Sequence, residues 1–301
     1  MGRFDGQVAL ITGGGRGIGR SVALALAAEN ASIALDDIYF LAEGAESAGK
    51  ELTAELESAG AGPGNTLLLT EDVRISAGAQ AMVDATVQRF GRLDILVNCA
   101  GNNVRGRIQE LTEDQWDSVL GLHLKGHFLS CQAAVKQMLT QNSGRIITVA
   151  SRGSIYYPPS SKLQARSSRN PASTAYASAK AGIMGLSTVL ALELWETGIT
   201  VNCLLPSATT QLFPESKPRM VGGVPASTNM DPDYVAPLVT FLCSAEAKNI
   251  SGRLIYASGG DVLIYGPLLD VAGSRMIRNQ GKWTIDELAG VIPSLIGSDS
   301  V

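Results

Sequence analysis

Tyr176-Ala177-Ser178-Ala179-Lys180 places a phenol and an ammonium four residues apart. The segment reads as helix, so both side chains share one face. A phenol with an ordinary pKa of about 10 is a weak base near neutrality, and a neighbouring cation favours its ionised form. Such a pair can trade a proton with an alcohol or a carbonyl. An ordinary amphipathic helix face has the same spacing, so the reading needs partners elsewhere in the chain. One partner is near the N-terminus. There a buried-strand run from Val8 to Thr12 leads into Gly13-Gly14-Gly15-Arg16-Gly17-Ile18-Gly19 and a helical pattern from Ser21 to Glu29. A strand, a tight turn and a helix N-terminus suit a pyrophosphate, because free N–H groups and the helix dipole both favour an anion there.

The elements that must position these groups follow from the apolar pattern. Short apolar runs near 7–13, 32–36, 66–70, 93–98, 144–150, 200–205 and 253–257 alternate with helical periodicity. This order predicts an α/β fold with a doubly wound, seven-stranded parallel sheet. Ligands of such sheets bind beyond the carboxyl ends of the strands, where Gly13, Asp37, Asp72, Asn98, Ser151 and Pro206 all fall.

With Asn98-Cys99-Ala100-Gly101 after a buried run and Ser151 closing the run Gly144 to Ala150, the chain resembles the short-chain dehydrogenase/reductase family. The resemblance spans roughly residues 5 to 260 and rests on the joint order of these motifs. It implies a single Rossmann-like catalytic domain over 1–260, with a loop inserted at 152–175 and a substrate lid at 207–230. A tail at 261–301 follows, in which Thr284 and Glu287 form a capping box and a short helix should run toward Ile292. It also implies hydride transfer between a nicotinamide cofactor and a secondary alcohol or ketone.

The site residues implied are Ser151, Tyr176 and Lys180 for the reaction, with Tyr176 and Lys180 also at the cofactor. The glycine loop contributes Gly13, Arg16, Gly17, Ile18 and Gly19, and the later strand ends contribute Asp72, Val73, Asn98, Ala100 and Gly101. A turn aspartate is an equally good account of Asp72. Asp37 ends the second strand, where a carboxylate can accept from both adenosine ribose hydroxyls and repel a 2′-phosphate, so NAD is expected. Arg16 argues for NADP, the alternative, whereas Asp36 points to the other side of its strand and reads as structural.

Two positions depart from the family pattern. His123 stands where the family usually has Asn in a proton relay, and a purely structural role is as consistent with the sequence. Pro206-Ser207-Ala208-Thr209-Thr210 makes Thr209 the candidate for the carboxamide contact. The patterns around His123, Pro232 and Gly252 are closest to the (3R)-hydroxyacyl-CoA dehydrogenase region of peroxisomal multifunctional enzymes and their bacterial relatives. That resemblance implies a hydroxyacyl thioester or another bulky substrate.

Composition bounds the rest. In 301 residues, 45% hydrophobic with 33 Gly, the chain can bury a large core joined by tight turns. A net charge of −4 argues against nucleic-acid partners. The 4 cysteines lie far apart without a C-x-x-C pair, so buried thiols in a reducing compartment are expected and a metal site is not. No uninterrupted apolar run reaches the roughly 18 residues of a membrane helix, and a cytoplasmic homo-oligomer, dimer or tetramer, is expected. The competing readings are an NADP-dependent ketoreductase and a catalytically idle dinucleotide-binding sensor or scaffold. Arg152, Lys162, Arg166 and Arg169, with no acidic residue in the inserted loop, mark either a solvated surface or a site for an anionic substrate.

Overall fold

The computed structural model describes residues 2–42, 45–154, 173–214, 220–221, 224–225 and 229–266. Apart from Tyr265 and Gly266, these belong to one unit, Met1–Ile155 with Ala172–Ile264. Lys162, Arg166, Arg169 and the tail helix expected before Ile292 lie outside the described residues.

The strands in chain order are β1 (Val8–Thr12), β2 (Ser32–Asp36), β3 (Thr66–Leu69), β4 (Ile95–Asn98), β5 (Gly144–Val149) and β6 (Ile199–Pro206). Then come a short ladder, β7 (Met220–Val221) with β8 (Val224–Pro225), and finally β9 (Leu254–Ser258) and β10 (Asp261–Ile264). The main sheet runs β10-β9-β6-β5-β4-β1-β2-β3 and holds 8 strands. Seven are parallel, as the alternation predicts. The eighth is a correction to the seven-stranded expectation: residues 261–264, assigned to the tail, form β10, which pairs antiparallel with β9. Gly259, at φ 51°, allows the reversal between them, so the sheet extends past residue 260.

The helices are α1 (Gly17–Ala28), α2 (Ala45–Leu56), α3 (Ser76–Phe90), α4 (Glu113–Leu120), α5 (Gly126–Gln141), α6 (Thr174–Glu193) and α7 (Ala236–Cys243). They cover both faces because successive strand side chains alternate. Ala9, Ile11, Ile95 and Val97 join one core with α1 and α7, whereas Leu10, Leu96, Ile146 and Val201 join another with α3 and α5. Although no uninterrupted apolar run of membrane length was expected, α6 is apolar enough over its 20 residues to span a bilayer by composition. One side of it lies in the core, with Ala175, Ala179 and Ile183 fully buried.

β1 is flanked by β2 on one side and β4 on the other, so the chain changes direction between β1 and β4 and a crevice opens there. Gly13 has φ +65°, and a Cβ on it would lie 2.7 Å from the Ala100 backbone nitrogen. Gly19 is tighter, since its Cβ would lie 2.3 Å from the Gly13 carbonyl oxygen. Glycine to alanine ordinarily favours a helix by about 1 kcal/mol. Here the added methyl meets backbone, and Gly19→Ala should destabilise by about 1–3 kcal/mol. A lower urea midpoint at unchanged slope is the expected result; an equal or higher midpoint would show that the turn can relax.

Candidate active site

Ser173 caps α6, its hydroxyl accepting from the Tyr176 N–H at 3.3 Å, so the helix starts two residues before the phenol. Tyr176 and Lys180 then face inward, 6% and 4% exposed. The Lys180 ammonium donates to the Val149 carbonyl at 2.6 Å and lies 5.6 Å from the Tyr176 ring centre. Ser151 follows β5 by two residues. Its hydroxyl accepts from the Gly153 N–H at 3.1 Å, and a hydrogen bond with Tyr176 favours the phenolate.

The electrostatics correct the sequence expectation for the phenol. Burial dominates and pushes Tyr176 up to about 12, with Ser151 as the group that opposes it. Lys180 is drawn down to about 8, again by burial. In this state the phenol is protonated and the ammonium is spent on a backbone carbonyl.

His123 and His127, the chain's 2 histidines, lie one turn apart where α4 passes into α5 through a π-type segment, Gly121–Lys125. His123 is 1% exposed and meets the Tyr176 ring edge-on at 5.2 Å. Its Nε2 sits 2.9 Å from the Asn102 carbonyl and 3.2 Å from the Asn102 N–H. Its Nδ1 is buried without a hydrogen-bond partner. Burial and the Lys180 charge draw its pKa down to about 3, so the ring is neutral. Gly101 makes room for it, because a Cβ there would lie 2.5 Å from His123 Cε1.

Two contributors were not singled out from sequence. His127 Nε2 accepts from the Val149 N–H at 3.3 Å, and the i, i+4 pairing with His123 was the available signal. Phe213 lies 5.8 Å from Tyr176, ring edge to ring face. The Asn103 amide donates to the Leu212 carbonyl at 3.1 Å, tying this loop to the segment after β4.

At the other end of the crevice, Asp37 accepts from the Gly15 N–H at 3.0 Å and the Tyr39 N–H at 2.9 Å. The Arg16 guanidinium stacks on Tyr39 at 4.2 Å. Arg16 N-caps α1 without a side-chain cap, leaving the first-turn N–H groups to a ligand. Ile18 packs against the core beneath. Asn98 accepts from the Thr12 hydroxyl at 3.5 Å and donates to Cys131 Sγ at 3.4 Å. Ala100 N–H donates to Thr12 at 3.3 Å. The Asp72 carboxylate is gripped by Arg74 at 2.7 Å and Val73 is buried, so neither side chain is free at this edge. Thr209 N–H donates to the Met230 carbonyl at 2.6 Å. Thr209 shares with Gly15, Arg16, Gly17 and Tyr39 the wall of a cleft of about 720 Å³, which does not reach Ser151 or Tyr176. Among the described residues no group of three metal-ligating side chains occurs.

The sequence pattern of the family described as short chain dehydrogenase matches residues 7–219. The chain is 32% identical to the (2S)-[(R)-hydroxy(phenyl)methyl]succinyl-CoA dehydrogenase subunit BbsD of Thauera aromatica, over 87% of this chain and 99% of that protein. It is 34% identical to the 3-oxoacyl-[acyl-carrier-protein] reductase FabG of Staphylococcus aureus, over 84% and 96%. A solved short chain dehydrogenase from Mycobacterium avium superposes with a TM-score of 0.80 at 30% identity, over 98% and 96%.

Asp36, 2% exposed, accepts from the Glu71 N–H at 2.7 Å and joins β2 to the end of β3. Burial raises its carboxyl from 3.8 to about 7. Its contribution to stability is therefore complete below the unfolded value and lost as pH rises through the folded one. Asp36→Asn keeps the acceptor and removes the titration. The wild type should lose stability relative to this variant, by on the order of 2–4 kcal/mol, between about pH 4 and pH 8. Parallel urea unfolding curves across that range would count against the buried ionisation.

Proposed function

The chain belongs to the short-chain dehydrogenase family, oxidoreductases acting on CH–OH groups, and we propose that it moves a hydride between NAD and a secondary alcohol or its ketone. The observation that carries this reading is the closed constellation of Tyr176, Lys180, His123 and the Val149 carbonyl beside Ser151. The match to a (2S)-[(R)-hydroxy(phenyl)methyl]succinyl-CoA dehydrogenase subunit supports a hydroxyacyl thioester or a similarly bulky substrate.

The residues fit the cofactor. The uncapped start of α1 suits a pyrophosphate, and the Asp37 carboxylate, held by two N–H groups, suits a ribose diol and opposes a 2′-phosphate. When bound, the cofactor would accept the hydride of an alcohol as NAD+ and supply one to a ketone as NADH. Ser151 donates to the substrate oxygen as charge gathers there. Tyr176, protonated by burial, gives its proton to a ketone oxygen. Alcohol oxidation needs the phenolate, and the ammonium available to stabilise it is Lys180. Neutral His123 positions the Tyr176 ring, and its free Nδ1 accepts a hydrogen bond within the relay. Asn98, Ala100 and Gly101 would form the backbone wall of the cofactor site, Asp72 and Val73 would flank the adenine, and Thr209 would hold the carboxamide.

A second reading, an NADP-dependent ketoreductase, is favoured by the stacked Arg16 guanidinium and the match to an oxoacyl reductase. Four free thiols, Cys99, Cys131, Cys203 and Cys243, suit a cytoplasmic enzyme. Exposed Phe128 and Leu139 on α5, with Val189 and Leu192 on α6, suit the pairing of these helices in a homo-oligomer.

Tyr176→Phe should lower turnover by roughly 100- to 10,000-fold, the usual weight of an acid/base group, with NAD binding retained. Near-native turnover in the folded variant would remove the phenol from the reaction. Asp37→Ala should weaken NAD and admit NADP, read as the ratio of kcat/KM for the two cofactors. An unchanged ratio would assign the choice to Arg16.

A further inference from the structure

Arg152 immediately follows Ser151 and opens the 3-10 turn Arg152–Ser154. The turn is bound to Ser151 three times. Gly153 N–H donates to its hydroxyl at 3.1 Å, Ser154 N–H to its carbonyl at 3.2 Å, and the Ser154 hydroxyl to the same carbonyl at 2.5 Å. Arg152 is half-buried, and its guanidinium stacks 4.7 Å above the ring of Tyr256, a residue of β9 that is 1% exposed.

Stacking occupies one face of a guanidinium and leaves its N–H edge for a planar anion. Arg3, Arg20, Arg74 and Arg92 each sit on a carboxylate. Among the described residues Arg152 has none. A half-buried cation costs desolvation energy unless it meets an anion, and this one is fixed by its ring at one residue from the hydroxyl that would hold the reacting oxygen.

We propose that Arg152 anchors a carboxylate of the substrate, so that the enzyme takes hydroxy or oxo acids whose carboxylate lies a few atoms from the reacting carbon. This rests on the proposed reaction at Ser151 and narrows its substrate class. The turn joins Arg152 directly to Ser151, so a carboxylate held by the guanidinium and an oxygen held by the hydroxyl are within reach of one molecule. The fork of the guanidinium matches the two carboxylate oxygens, a geometry that lysine does not reproduce.

Calorimetric titration of the full chain, with and without oxidised NAD, which cannot reduce a ketone, uses levulinate as the charged probe and methyl levulinate as its neutral counterpart. Levulinate should bind more tightly than the ester. Arg152→Gln should weaken levulinate at least tenfold while leaving the ester within twofold, with the melting temperature confirming the fold. Arg152→Lys, which keeps the charge and loses the fork, should weaken levulinate at least threefold and serves where the Gln variant does not fold. Levulinate binding no tighter than that of the ester, including no binding of either, would overturn the anchor, as would unchanged affinity in the variants. A full panel of alcohols and ketones that gives no turnover with either cofactor, while Arg152-dependent levulinate binding persists, would remove the proposed reaction and leave the anchor standing.

Discussion

Lys180 is a buried ammonium whose hydrogen bond goes to the Val149 carbonyl, and much of the site is arranged around that charge. Desolvation draws its pKa to about 8. Its field, added to their own burial, holds His123 and His127 neutral. A neutral His127 can accept the Val149 N–H. One residue at the end of β5, Val149, is thereby held through both its backbone groups, its N–H by a histidine of α5 and its carbonyl by a lysine of α6. Ser151 lies two residues further along the same backbone. Fixing the two peptides that flank Val149 fixes where the serine hydroxyl starts, so the contacts of two helices with one strand end become a positional constraint on chemistry.

Missing Cβ atoms matter as much as the charges. Gly13 lets β1 approach the Ala100 backbone, and Gly101 lets the His123 ring fill space that a side chain would occupy. The second of these is a coupled choice. An imidazole is larger than a carboxamide, and it fits here because the residue opposite has no side chain. The π-type segment Gly121–Lys125 widens the helix at the same place, as such segments often do at functional sites.

The strands were legible because their signal is local. Val8–Thr12 or Gly144–Val149 read as short apolar runs between turn residues, and buried parallel strands have few other appearances. The cluster of Ser151, Tyr176 and Lys180 was legible through motif order. β10 was not, because Asp261–Ile264 is a short edge strand with its alternate residues exposed, and its stability comes from pairing with β9 rather than from its own pattern. The direction of the Tyr176 shift was also hidden. Spacing placed a cation nearby, but the depth of burial and the diversion of the ammonium to Val149 are tertiary facts. Asp72 shows the same limit: a side chain free in sequence is taken by Arg74 two residues on.

Tyr176 sits between two aromatic edges, His123 on one side and Phe213 on the other. The His123 contact is built into the helix, whereas Phe213 belongs to a segment joined to the β4 loop through the Asn103 amide and the Leu212 carbonyl. With both rings in place Tyr176 is 6% exposed. His123 is held by the Asn102 peptide and lies within the buried core of the helix junction. Phe213 is only partly buried, and its N–H donates to the Thr210 hydroxyl at 3.2 Å. The same 207–214 segment carries Thr209 along the cleft beside the glycine loop. The wall beside Tyr176 and the wall beside Gly15 and Arg16 therefore share one stretch of chain, and a change in the Asn103–Leu212 link acts on both.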